Sequence, residues 1–311
     1  MLSVIVPAFN EEELIGNTAD RIARTLLDGD IAYEIIFVDD GSADSTWDRI
    51  CLAGKKDACV RGIRFSRNFG KEAAIFAGLD AANGDCCAVI DCDLQHPPEK
   101  LVDMYALWLQ GFEVVSGVKS SRGKERKSHS LAAKWFYSIM NRAVRVDMRR
   151  ASDYKLLDRR VVQALLSFPE RRTFFRGLAA WVGFRTAEVE FNVDERWEGT
   201  SHWSTTSLFK YALSNISSFS SAPMQIVTVL GLVMLAVSII FGIQTLVRWF
   251  CGSAVEGFTT VILLLLFIGS ILMISIGIIG YYIAQIFSEI KGRPRYIVSG
   301  RCGNEVKKHN G

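Results

Sequence analysis

Two carboxylates and an amide, Asp91, Asp93 and Gln95, follow directly on the apolar run Ala88-Val89-Ile90. Side chains two apart in an extended chain share one face. These three can therefore offer hard oxygen atoms to a single point beyond a strand end. Such a donor set suits Mg²⁺ or Mn²⁺ that keeps positions open for substrate phosphate oxygens. The same residues also read as an acidic strand-to-helix turn, with an Asp capping a helix that Pro97-Pro98 starts. Taken alone, the run does not decide between the two.

The surrounding pattern says what must position these groups. Over the first 120 residues apolar runs alternate with segments of helical spacing. Strands are predicted at Leu2–Pro7, Tyr33–Val38, Val60–Phe65, Cys86–Ile90 and Phe112–Ser116. Helices are predicted at Glu11–Leu27, Ser45–Ala53, Lys71–Ala82 and Pro98–Gln110, the first with acids in its opening turn, where the helix dipole favours them. This alternation indicates an α/β domain with a Rossmann-like, mainly parallel sheet covered on both faces. Ligands of such sheets bind outside the carboxyl ends of the strands, where Asp39, Asp40, Asp91 and Asp93 all fall. The glycines that cradle a dinucleotide are missing: after the first strand the chain reads Pro7-Ala-Phe-Asn-Glu-Glu-Glu13. Acids there repel a pyrophosphate, so a cation is the natural way to hold phosphates.

Half of the chain is hydrophobic and its mean hydropathy is +0.20. The excess is concentrated. Residues 226–247 and 257–288 carry no charge, and each exceeds the roughly 20 residues that cross a bilayer. A buried core helix is the other reading, stronger for the first stretch, which holds Thr228, Ser238 and Gln244. We expect a two-helix membrane hairpin at about 226–247 and 258–287. Basic residues crowd after it, at Lys291, Arg293, Arg295, Arg301, Lys307 and Lys308, against Arg248 alone in the connection. The positive-inside rule then puts residues 1–205 and 291–311 in the cytoplasm, and no signal peptide is expected at the N-terminus. Ser207–Ile216, within an amphipathic juxtamembrane segment at 206–222, reads as an interfacial helix or as a core-facing one. A further helix is expected at Ser130–Arg142. The seven cysteines are expected to be free thiols, since their number is odd and no Cys-x-x-Cys occurs. The net charge of +3 is small, and nothing points to nucleic acid.

Five segments together resemble a known family. Ser3-Val-Ile-Val-Pro-Ala-Phe-Asn-Glu-Glu12, Val38-Asp-Asp-Gly-Ser-Ala-Asp-Ser-Thr46 and Asp91-Cys-Asp-Leu-Gln-His-Pro-Pro98 are similar to family 2 glycosyltransferases of the GT-A fold. Ser66-Arg-Asn-Phe-Gly-Lys-Glu-Ala73 and Glu289-Ile-Lys-Gly-Arg-Pro-Arg-Tyr-Ile-Val298 resemble the polyisoprenyl-phosphate glycosyltransferases, the bactoprenol glucosyltransferase and dolichol-phosphate mannose synthase group. The resemblance spans nearly the whole chain. It implies a sugar moved from a nucleotide diphosphate to a membrane polyprenyl phosphate, with inversion, and it puts UDP-glucose first among donors.

The resemblance also implies site residues. Asp91, Asp93 and Gln95 match the metal and diphosphate positions, with Asp93 also in the catalytic set. Pro7, Phe9, Glu11, Asp39, Asp40 and Lys71 match the donor edge, although Phe9 could be core and Asp40 a turn cap. Asp153 matches an acid proposed as base or orienting group, with a structural salt bridge as the other reading. A phosphate monoester is already anionic and needs cations more than a base. The loop Lys119–Lys127, with Arg122 foremost and Lys127 beside it, fits that need or binds lipid headgroups. Arg196, Ser201 and His202 match an R-x-x-G-x-S-K stretch, with His202 in place of the frequent lysine. Three rivals are weaker. A processive synthase would carry a Q-x-x-R-W motif. A silent binding module would not need the full acid set. A channel would need charges in its spans. Glycines in the apolar stretches also allow a homo-oligomer.

Overall fold

In this computed structural model the described residues are 1–119, 152–170, 174–191 and 257–303, with scattered positions between 231 and 251. The chain divides into two units, one of residues 1–203 with 294–311, the other of residues 204–293.

The first unit is built on an eight-stranded sheet. Its amino-terminal half alternates β1 (Leu2–Ala8), α1 (Ile15–Asp28), β2 (Tyr33–Asp39), α2 (Thr46–Lys56), β3 (Val60–Phe65), α3 (Lys71–Ala81), β4 (Cys86–Val89) and α4 (Lys100–Leu109). The second half holds β5 (Val114–Lys119), β6 (Lys155–Asp158), α5 (Arg159–Ser167), α6 (Phe175–Trp181) and β7 (Thr186–Phe191). A last strand, β8 (Val298–Cys302), lies far along the chain. The strand order is β7-β5-β6-β4-β1-β2-β3-β8.

β1, β2, β3 and β4 are parallel, as the near-continuous apolar runs require. Val4, Ile5, Val6, Ile35, Ile36, Phe37 and Val38 are all fully buried, since helices cover both faces. Helix α1 turns Ile15, Ala19, Ile22 and Leu26 inward at helical spacing. Helix α3 approaches β1 closely: a Cβ on Gly78 would stand 2.3 Å from Ile5 Cγ2. The glycine is what lets this helix seat at that depth. A buried acid, Glu34, is satisfied by Ser3 Oγ, the Asn83 amide and an ion pair with Arg61 at 2.8 Å.

Beyond β4 the sheet is mixed rather than mainly parallel. β6 inserts antiparallel between β4 and β5, while β7 runs parallel to β5. The expected fifth strand exists, but it begins at Val114 and does not border β4. Helix α1 also starts later than expected. The backbone N–H groups of Glu11 and Glu12 donate to Thr46 Oγ1 and Asp44 Oδ2. Residues 11–14 are thereby held in a turn, and the acids precede the helix.

In the second unit, α7 (Phe258–Ile290) has 33 residues. Its segment Phe267–Phe287 is the one described helix long and apolar enough to cross a membrane, with mean hydropathy 2.0 and no residue buried. Gly292, at φ +68°, follows its end. The expected first span, 226–247, is described only at scattered helical positions. The expected helices at Ser130–Arg142 and Ser207–Ile216 lie outside the described residues.

Candidate functional site

The parallel strands end on one edge, and their following loops are stitched together there. Asp40 N donates to Ala8 O and Ile90 N to Ile5 O, so the loops leave the sheet side by side. Asn10, at φ +55°, donates its N–H to Ser42 Oγ and accepts from Ala43 N through its side chain. Phe9 is 45% exposed, which makes it an edge residue rather than a core one. Pro7 lies in β1 one residue before its end.

The two acids after β2 differ. Asp39 is fully buried; its Oδ1 accepts from Ser42 N at 2.9 Å. Its Oδ2 lies 3.3 Å from Arg64 Nε as an ion pair but accepts no aligned hydrogen bond. Asp40 spends both oxygens on the backbone, taking N–H bonds from Phe69 at 2.7 Å and Gly70 at 2.9 Å. Burial raises the Asp40 carboxyl above its ordinary range despite those two bonds. Asp40 thus clamps the loop that delivers α3. Gly70, at φ +100°, makes the turn into that helix, and Lys71 is its first residue.

Lys71 is the hub. Its ammonium lies 2.6 Å from Asp91 Oδ1 and 2.9 Å from Asp153 Oδ2. Burial opposes its charge, but the two carboxylates outweigh it and lift the Lys71 pKa above its ordinary range. Asp153 is buried and is also gripped by Arg176, with Nε at 2.6 Å from Oδ1 and a second nitrogen at 2.8 Å from Oδ2. Burial opposes the Asp153 charge, yet these bonds hold its carboxyl well below the usual range.

Asp91 and Asp93 follow β4 in a tight turn. Asp93 Oδ1 accepts from Gln95 N at 3.1 Å, and Leu94 between them sits at φ +53°. A non-glycine residue in that region is strained, and such strain is characteristic of functional turns. His96 is buried, stacked on Tyr154 with centroids 5.0 Å apart, and its Nδ1 is 3.8 Å from Asp91 Oδ2. Asp91 is therefore bracketed by Lys71 on one oxygen and the His96 ring on the other. Among the described residues no three His, Cys, Asp or Glu side chains converge as a complete metal cage. Two carboxylates and an amide still fit Mg²⁺ or Mn²⁺, which take one or two acids and draw their other oxygens from phosphate and water. A cation already stands against Asp91 in the form of Lys71.

The structure thus brings Lys71, Asp91 and Asp153 together and puts Asp39, Asp40 and Phe9 on the same edge. Arg122, Lys127, Arg196, Ser201 and His202 lie outside the described residues. Sequence reasoning missed Arg176, His96, Tyr154, Lys155 and Glu72. Lys155 is buried, with Nζ 2.7 Å from Ser116 Oγ, and burial lowers its pKa to about 8. His96 sits inside the acidic motif and was open to notice; Arg176 carries no spacing signal toward Asp153. All seven cysteines are free, and burial pushes the Cys87 thiol up to about 12.

Glu72 yields a pH prediction. Burial, with Asp153 as a like-charged neighbour, raises its pKa from 4.5 to about 7, although Phe175 N donates to its Oε2 at 2.8 Å. The folded chain then binds more protons here than the unfolded one between those values. Its contribution to stability is present below 4.5 and is lost as pH rises through about 7. Glu72→Gln keeps an acceptor for Phe175. It is expected to flatten this part of a stability-versus-pH curve and to exceed the parent in melting temperature at pH 8.

The family model described as glycosyl transferase family 2 matches residues 3–166. An uncharacterised glycosyltransferase of Synechocystis is 35% identical over 306 residues, covering 98% of this chain and 96% of that protein. A prophage-derived bactoprenol glucosyl transferase of Shigella flexneri is 36% identical over 302 residues, covering 96% and 97%. Among solved structures, the mannosyl-3-phosphoglycerate synthase of Rubrobacter xylanophilus matches at 18% identity and a TM-score of 0.49, over 70% of this chain and 72% of that one.

Proposed function

Because this chain belongs to glycosyl transferase family 2 and is a hexosyltransferase, we propose that it transfers a sugar from a nucleotide diphosphate sugar to the phosphate of a membrane polyprenol. UDP-glucose is the proposed donor and undecaprenyl or dolichyl phosphate the acceptor, with inversion at the anomeric carbon. One observation carries the reading. Lys71, Asp91 and Asp153 meet at the edge where the parallel strands β1–β4 end, with no glycine loop for phosphates after β1.

We propose the following division of labour. Asp39, at the end of β2, and the exposed Phe9 ring, just after β1, form the proposed base and ribose end of the donor site. Asp91, Asp93 and Gln95 would hold Mg²⁺ or Mn²⁺, whose charge would offset that of the departing nucleotide. Lys71 supplies a cation between the donor carboxylates and Asp153. The acceptor phosphate attacks as an anion, so a strong general base is unnecessary. Asp153 fits that economy as a positioning group, because Arg176 and Lys71 occupy both its oxygens. The cations of the 119–127 loop, Arg122 and Lys127, with Arg196, Ser201 and His202, would hold the acceptor phosphate.

A lipid acceptor requires the membrane. We assign α7 as one span and residues 226–247 as its partner, with domains at 1–205, 206–222, 223–290 and 291–311. The catalytic domain and the basic C-terminal residues face the cytoplasm, and the spans allow a homo-oligomer.

Detergent-solubilised full chain, incubated with polyprenyl phosphate, Mn²⁺ and a panel of nucleotide sugars, should form a glycolipid from UDP-glucose. EDTA should abolish it. Arg122→Ala should raise the acceptor KM by about tenfold or more while the donor KM moves little, since a phosphate loses one charge-assisted contact. Donor binding without transfer for every sugar would sink the reading in favour of a silent module.

A further inference from the structure

Lys71 occupies an unusual place for a residue of a cation-dependent donor site. Its ammonium contacts Asp91 Oδ1 at 2.6 Å, directly on one of the carboxylates suited to the metal. Its second contact, Asp153 Oδ2 at 2.9 Å, is one Asp153 could give up, because Arg176 already bonds both oxygens of that carboxylate. The lysine side chain is 41% exposed, and it leaves α3 from its first turn. Its backbone is not free, since Asp40 holds the N–H groups of Phe69 and Gly70 immediately before it. A fixed root, a partly exposed stem and a replaceable second partner together make a side chain placed to change partners.

Electrostatics sets the order of events. A divalent ion approaching Asp91 meets an ammonium already bound there, and like charges at a few ångströms repel strongly in a half-buried site. A nucleotide diphosphate changes this balance, because its oxygens can take the ammonium and the divalent ion together. We propose that Lys71 is an internal counter-cation that keeps divalent ions off Asp91 until the donor diphosphate arrives, so that metal and nucleotide bind as a pair. The inference rests on the donor-site reading above and adds to it a binding order and the residue that enforces it.

The test reads metal binding rather than turnover. Mn²⁺ is titrated into the full chain in detergent, without substrates, and free Mn²⁺ is followed by electron paramagnetic resonance. Wild type should bind Mn²⁺ weakly alone and far more tightly with UDP present. Lys71→Met should tighten Mn²⁺ binding in the absence of UDP by about tenfold or more, because the repelling charge is gone. Lys71→Arg, which keeps the charge, should stay near wild type. Unchanged affinity in Lys71→Met, with UDP-dependent binding intact in both proteins, overturns the proposal and leaves the donor site standing. Absence of Mn²⁺ binding in every protein, with or without UDP, overturns both. Wild type that binds Mn²⁺ equally well with and without UDP overturns the binding order whatever the variants do.

Discussion

Asp93→Asn is expected to lower sugar transfer by about 10²–10³-fold, the usual scale for removing one group that stabilises transition-state charge. The turn itself should survive. Asp93 uses Oδ1 to accept the Gln95 N–H, and the asparagine carbonyl can accept the same bond. No other hydrogen bond or ion pair involves Asp93 among the described residues, so little packing is lost. What disappears is a negative charge beside Asp91 on the edge where the donor phosphates are proposed to sit. Initial rates across a Mn²⁺ series, with circular dichroism for the fold, check this. Near-normal turnover in a folded variant would remove Asp93 from the cation site.

The second large effect concerns stability. Asp153 bonds both Lys71 and Arg176, and its side chain is only 6% exposed. Breaking a fully buried pair costs about 3–5 kcal/mol. The two cations here are 41% and 36% exposed, so water recovers part of the loss. Asp153→Ala should therefore cost about 2–3 kcal/mol, a fall in Tm of roughly 5–10 °C for a chain of this size. The milder Asp153→Asn separates positioning from base catalysis. A positioning role predicts raised KM values with kcat reduced by less than about 10²-fold, whereas loss of a true base costs about 10²–10⁴ in kcat. A kcat loss at the upper end of that range, with KM unchanged, would make Asp153 the base after all.

How far the sequence reached depends on the distance over which each signal acts. The parallel core was legible because strands buried on both faces have almost no polar residues, as in Val4–Val6 and Ile35–Val38. Asp91 and Asp93 stood out as acids just after an apolar run, but the extended spacing read for them gives way to a tight turn after β4. The turn at Leu94 was not legible, since nothing in a leucine announces φ +53°. Lys71 entered only through a motif, and its two partners stand 20 and 82 positions away. Arg176 and Glu72 were out of reach for the same reason: the Glu72 partner at Phe175 N is 103 positions distant. β6 was missed because Lys155–Asp158 is four residues long and carries charge at both ends. Its antiparallel insertion turned an expected parallel neighbour of β4 into a mixed half-sheet.

β8 has a consequence for how the protein is made. This strand pairs with β3 and covers its outer edge, yet in chain order it comes after the 33-residue α7. Tyr296, just before it, stacks on Phe65 with centroids 4.9 Å apart, and Ser66 N donates to Ile297 O. During synthesis β3 must wait, its hydrogen-bonding edge bare, while more than 230 further residues emerge. A bare edge is a template for wrong pairing, and pairing over so long a loop is slow. The nascent enzyme is thus most exposed to aggregation during that interval. Any shortened version ending at α7 would carry the open edge permanently.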